Sequence, residues 1–154
     1  YQMIGRSIAD TDGVEGAPAT VPGLGLLDVA TTMGGDKVTV PVAGRHVGSG
    51  EAVTGYEIHM GRTTGPDCAR PFLDLDGRPD GAVSSSGRVT GTYVHGVFAG
   101  DGFRRAFLAG LGAVASDLAY EEGVEAALDA LAAHLERHVD IDALLAIAGV
   151  SEAR

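Results

Sequence analysis

Residues 37–47, KVTVPVAGRHV, and residues 51–60, EAVTGYEIHM, decide how this sequence is read. In both, apolar side chains alternate with other residues in the period of two that places them on one face of a β-strand. The Gly48-Ser49-Gly50 break between them is short, so the two are expected to be neighbouring strands joined by a turn. Working outward, residues 71–98, PFLDLDGRPDGAVSSSGRVTGTYVHGVF, are cut by Asp76-Gly77, Asp80-Gly81 and Ser86-Gly87. Such dipeptides tolerate the positive φ of tight turns, which predicts two or three short strands, the last over Val89 to Val94.

Upstream, residues 24–33, LGLLDVATTM, have the apolar and β-branched content of a buried strand. In the opening stretch, Met3, Ile4 and Ile8 recur at helical spacing, which predicts a helix from Tyr1 to about Ala9, ended by Asp12-Gly13. That helix has no Ser, Thr, Asp or Asn ahead of it to satisfy its first amides. Downstream of Asp101, a candidate N-cap, Phe103, Phe107, Leu108 and Leu111 mark a helical face, and Gly110 and Gly112 mark its end. A second helix is expected from about Leu118 to Val139, with Leu128, Leu131 and Leu135 as its inward stripe, and a third from Ile141 to Ala148. Strands precede helices without repeats, so the class is α/β or α+β.

Composition narrows the function. With 154 residues and 45% apolar side chains, the chain suits one core. Its net charge of −10, from 11 basic and 21 acidic residues, repels phosphate backbones and anionic lipid and argues against nucleic acid and membrane partners. No apolar run approaches the roughly 20 residues that span a bilayer, and no signal segment opens the chain. A single cysteine rules out an internal disulfide and favours a reducing compartment. The expected location is cytoplasmic.

Few side chains offer chemistry. His134 and His138 have the i, i+4 spacing of metal ligands, but Glu136 falls one place late for a metalloprotease pattern, and a solvated helix face explains them as well. His46 lies in a Gly-flanked turn. His95, in TYVHGVF, ends an apolar strand with Gly96 directly after it, an arrangement that fits either an imidazole exposed at a strand's carboxyl end or a hydrogen-bonded structural histidine. His59 and Glu57 lie two apart on one strand face and fit either a polar-ligand site or a surface ion pair. Cys68 follows Asp67, whose charge disfavours a thiolate, and no strand-to-helix elbow surrounds it.

Four stretches in this order, YQMIGRSIADTDGVEG, GLGLLDVATTM, GYEIHMGRTTG and GTYVHGVFAGDGFRRAFL, closely resemble the C-terminal glutamine amidotransferase domain of the cobyric acid synthase family. The resemblance runs from Tyr1 through HLERHVDIDALLAIAG. It implies an α/β, class I glutamine amidotransferase-like (flavodoxin-like) domain, with N-terminal strands missing and C-terminal helices. Residues 1–154 would be the C-terminal portion of that domain, with a core of about 1–112 and a helical extension of about 113–154. In the family the motif Gly-x-Cys-Gly-Gly-Tyr-Gln-Met forms a nucleophile elbow. Tyr1 and Gln2 match its end, so the resemblance places the nucleophilic Cys three residues before Tyr1 and accounts for the absent N-cap.

His95 matches the family's catalytic His, which activates the Cys and protonates the leaving ammonia. Gln2, Tyr56, Glu57 and His59 would border the glutamine pocket. The wider class I amidotransferases carry a Glu two residues after this His, where Val97 stands here, so a dyad-like site is expected. The resemblance further implies a separate synthetase domain of the same protein that binds ATP and Mg²⁺ and presents the corrinoid acceptor. That domain amidates adenosylcobyrinic a,c-diamide at positions b, d, e and g. No Gly-Lys-Ser/Thr phosphate loop occurs in these residues, so no cofactor is expected in this segment, and the segment alone is expected to be inactive. The alternatives are an amidotransferase with another acceptor, such as cobyrinic acid a,c-diamide or a cell-wall lipid intermediate, and a non-catalytic remnant acting as a binding module.

Overall fold

The computed structural model describes residues 1–35, 37–114, 117 and 119–150, apart from the side chain of Val38. The chain divides into two units, Tyr1–Ser116 and Asp117–Arg154. The first is a mixed α/β unit. Its centre is the pair that the alternating stretches predict: β4 (Val38–His46) and β5 (Ala52–His59) run antiparallel from Val38↔His59 to Arg45↔Ala52. β7 (Leu73–Leu75) and β8 (Arg78–Asp80) extend this sheet beyond β4, and β11 (Val94–His95) closes the other edge against β5.

A second sheet has the order β2-β1-β3-β6, from β1 (Ser7–Asp10), β2 (Ala19–Pro22), β3 (Ala30–Thr32) and β6 (Arg62–Thr64). Within it β1 and β3 are parallel, the one such pairing among the described residues. β9 (Ala82–Val83) and β10 (Thr90–Gly91) form a two-stranded ladder.

The opening segment differs from its predicted helix. Only Gln2–Ile4 turn, as a short 3₁₀ helix, and Ser7–Asp10 form a strand held on both sides, to Ala19–Pro22 and to Ala30–Thr32. Three apolar residues in nine fit either period. Tertiary pairing decides, because a helix there would strip β2 and β3 of their common neighbour. The apolar run 24–33 is likewise a strand only at Ala30–Thr32. Leu27 and Val29 are buried ahead of it, while Leu24 and Leu26 are exposed. The predicted strand over Val89 to Val94 is two strands, because Thr92 hydrogen-bonds the Val94 amide with its hydroxyl where the chain passes from β9 to β5.

Helix α1 (Asp101–Gly110) belongs to the first unit. Gly100 occupies the N-cap position, and Asp101 is the first helical residue, where its charge suits the dipole and bonds Arg104. Phe103, fully buried, and Phe107 turn one face of the helix onto a core of Val53, Phe72, Leu73, Leu75, Val94 and Val97. Gly112 ends the helix at φ +75°, with the Ala113 amide donating back to Leu108.

In the second unit, α2 (Tyr120–His138) and α3 (Ile141–Ile147) are helical, and Asp140 caps α3 through the Ala143 amide. The stripe expected to face inward does not. Leu128 and Leu131 are each 52% exposed, because a unit of two helices offers them little apolar surface. No helix among the described residues is long and apolar enough to cross a membrane.

Candidate functional site

His95 is positioned by strand pairing. It lies opposite Tyr56, and Val94 lies opposite Glu57. The approach is close because residue 55 is glycine: a Cβ there would sit 2.2 Å from the His95 carbonyl oxygen. Gly96 follows at φ +80° and turns the backbone away, leaving His95 exposed. Among the described residues nothing hydrogen-bonds its imidazole. Val97, where the wider class has a carboxylate, is buried in the apolar core, so no acid from that position reaches the ring.

The imidazole lines a cavity of about 280 Å³ together with Gln2, His59, Thr92, Tyr93 and Tyr1. Gln2 stands on the opening 3₁₀ turn and donates its amide N–H to the Met60 carbonyl at 2.9 Å. Three residues singled out in the sequence, Gln2, His59 and His95, are therefore brought together from distant positions. Tyr56 is exposed beside His95 and lines neither this cavity nor its neighbour.

The neighbouring cavity, about 430 Å³, adjoins the first through Tyr1, His59 and Tyr93, which line both. Glu57 faces it and is buried at 5% exposure. The two readings of Glu57 and His59 resolve into an internal network. His59 Nε2 lies 3.0 Å from Glu57 Oε1, and its Nδ1 lies 3.2 Å from the Gly61 carbonyl. Arg78 spans both Glu57 oxygens at 3.2 and 2.5 Å. Burial pushes the Glu57 carboxyl up, but the hydrogen bonds from Arg78 and His59 outweigh it and hold it below the usual range.

A carboxyl lowered in the folded state stabilises the fold above its unfolded pKa, and that stability is lost as pH falls through the folded value. Unfolding of the protein should therefore become easier below a pH near the usual glutamate value of 4.5. Arg78→Ala is expected to remove about 1–3 kcal/mol at neutral pH and to flatten this acid dependence, as chemical denaturation at pH 7 and pH 4 will measure. An unchanged acid slope would show that Arg78 does not set the Glu57 charge.

His59 is also fixed by its ring, stacked on Tyr93 with centroids 4.1 Å apart and planes at 24°. Tyr93 in turn bonds Thr63 through its hydroxyl, and Thr63 lies 2.6 Å from Thr31. Burial pushes both the Tyr93 and Tyr1 hydroxyls up, so both stay neutral hydrogen-bonding groups. Sequence reasoning gives Arg78 and Tyr93 no role. For Tyr93 a signal existed, its place two residues before His95; for Arg78, in a Gly-bounded turn, there was none.

The other candidates fall elsewhere. Cys68 lines the larger cavity, 3.8 Å from the Tyr1 hydroxyl, whereas His95 lines the smaller one. His46 bonds Ser49 and packs its ring on Phe72 and Phe103, and burial lowers its pKa. The His134 and His138 rings lie 4.5 Å apart on α2. Among the described residues no group of three potential ligands is placed to hold a metal.

This geometry, an open imidazole at a strand end beside a glutamine side chain, fits what the comparisons with known proteins find. The model of the CobB/CobQ-like glutamine amidotransferase domain matches residues 1–103. A cobyric acid synthase of Cereibacter sphaeroides is 64% identical over 148 residues, which is 96% of this chain and 31% of that protein. Those of Rhodobacter capsulatus and Bradyrhizobium diazoefficiens are 58% and 53% identical over the same shares. The chain thus spans about 31% of the length of these curated relatives.

Proposed function

The chain belongs to the CobB/CobQ-like glutamine amidotransferase domain family, and from that premise we propose that it is the glutamine-hydrolysing, ammonia-supplying part of a cobyric acid synthase. In this reading a Cys three residues before Tyr1 is the nucleophile. His95 takes its proton, the thiolate adds to the side-chain amide carbon of glutamine, and the oxyanion is held by backbone amides. The C–N bond then breaks as His95 passes the proton to the departing ammonia, and water cleaves the glutamyl thioester to glutamate. Gln2, Tyr56, Glu57 and His59 border the glutamine in this reading, Gln2 and His59 lining the cavity that His95 lines and Glu57 its neighbour.

The remainder of the longer protein, in this proposal, carries the ATP- and Mg²⁺-dependent synthetase. It activates carboxylates of adenosylcobyrinic a,c-diamide, and the ammonia converts those at b, d, e and g to amides. The observation that carries the reading is His95 itself, exposed at the end of β11 with no hydrogen-bond partner among the described residues, in a cavity that Gln2 also lines. The test is to incubate the full-length protein with glutamine, ATP, Mg²⁺ and the a,c-diamide. Glutamate release with gain of four amides on the corrinoid is expected. Glutamate release without corrinoid amidation would move the acceptor elsewhere, and no glutamate release would overturn the reading.

A further inference from the structure

We infer that Arg104 is a positioning residue for His95, holding in place the loop that carries the chain away from the imidazole. This rests on the glutaminase reading above and deepens it by naming what fixes the acid/base group from its downstream side.

β11 is two residues long, and a pairing that short is marginal by itself. The His95 ring is exposed and, among the described residues, has no hydrogen-bond partner, so its place is inherited from the backbone on either side. Upstream, β5 supplies support through the close approach at Gly55. Downstream, Gly96 at φ +80° turns the chain into residues 97–100, which lead to α1.

Val97 anchors this loop in the core, and the Ala99 amide donates to the Gly96 carbonyl at 2.8 Å. Arg104 grips its outer part. Nη1 donates to the Phe98 carbonyl at 2.7 Å and to the Ala99 carbonyl at 3.1 Å, and Nη2 donates to Asp101 Oδ1 at 2.5 Å. A guanidinium is planar and its donors point in fixed directions, so bonds to three residues at once fix the loop relative to the helix. The helix is itself fixed, because the adjacent Phe103 is fully buried in the core. Position thus passes from the core through Phe103 and Arg104 to residues 98 and 99, and through Val97 and Gly96 to His95.

Helix stability does not explain an arginine here. Arg104 is the fourth residue of α1, near the positive end of the helix dipole, where a cation is disfavoured. A surface arginine would extend into water, yet this side chain is 16% exposed and folds back over the preceding loop. Without it the two carbonyls would turn to water for their hydrogen bonds, and the loop would turn with them.

The test is glutamine hydrolysis by the full-length protein, with the unfolding midpoint measured alongside. Arg104→Met keeps the stem and the helix propensity but removes every donor. It should lower kcat about 10- to 100-fold, the cost of a displacement near one ångström among reacting groups, and leave the KM for glutamine within about twofold. The KM is spared because Gln2 and His59, which border the substrate, stand on other elements. Arg104→Lys returns donors to the carbonyls without the planar fork and should recover kcat to within about fivefold of the unmodified protein. Arg105→Met, at the next and exposed position, should change neither constant. If Arg104→Met fails to fold, Asp101→Asn, which weakens the hold on the guanidinium's other end, decides: kcat should fall about 3- to 10-fold at unchanged KM. A lowered unfolding midpoint with kcat unchanged, a rise in KM alone, or equal losses of kcat in Arg104→Met and Arg104→Lys would overturn the assignment and leave the glutaminase intact. An unmodified protein that releases no glutamate would overturn the function itself.

Discussion

His95→Ala is expected to abolish glutamine-driven amidation by the full-length protein, by about 10³-fold or more, while amidation driven by added ammonium salt continues at the unmodified rate. The split follows from the chemistry assigned to the ring. A thiol is a poor nucleophile until a base takes its proton, and an amide nitrogen is a poor leaving group until an acid returns one. In the proposed mechanism one imidazole does both, and the position of the usual carboxylate is the buried Val97. The ring is exposed and contributes little to packing, so its removal leaves the fold and any partner domain intact. Parallel assays with glutamine and with ammonia give the answer. Glutaminase activity retained within about tenfold would remove His95 from the mechanism.

Gly55→Ala should be nearly as damaging without touching a reactive group. The added methyl would lie 2.2 Å from the His95 carbonyl oxygen and 2.8 Å from a Val94 methyl, far inside ordinary contact. The backbone cannot rotate out of the way, so β11 must retreat from β5 by about an ångström, carrying the imidazole with it. A displacement of that size costs about 10²-fold where reacting groups must be aligned, and forcing an extra carbon into a packed site costs about 1–3 kcal/mol. Glutamine hydrolysis and the unfolding midpoint of the same variant report the two effects. Gly123→Ala is the control, since a Cβ there meets nothing within 4 Å and alanine favours the α2 helix. If Gly55→Ala retains full glutaminase activity, the strand pairing does not position His95.

Part of the fold and of the site is legible in the sequence. The β4 and β5 pair was readable because both strands alternate over many residues and one short turn joins them, so local pattern and tertiary pairing ask for the same thing. His95 was readable because its setting is local too: strand, imidazole, then a glycine that takes positive φ. The opening segment was not. Its three apolar residues fit a helix, and only the edges of β2 and β3 make Ser7–Asp10 a strand. The stripe on α2 misled for a related reason, because periodicity shows that a face is apolar and not whether anything lies against it.

The sequence by itself determined a histidine presented at a strand end, the motifs around it and the family they belong to. Only the tertiary structure decided which side chains work together. It joined Gln2, His59 and His95 in one cavity and consumed Glu57 in a bidentate pair with Arg78 in the next. The physical reason is that turns and strand alternation are set by neighbours one to four residues away. Charge pairing and cavity walls are set by residues tens of positions apart, which meet only once the sheets have formed.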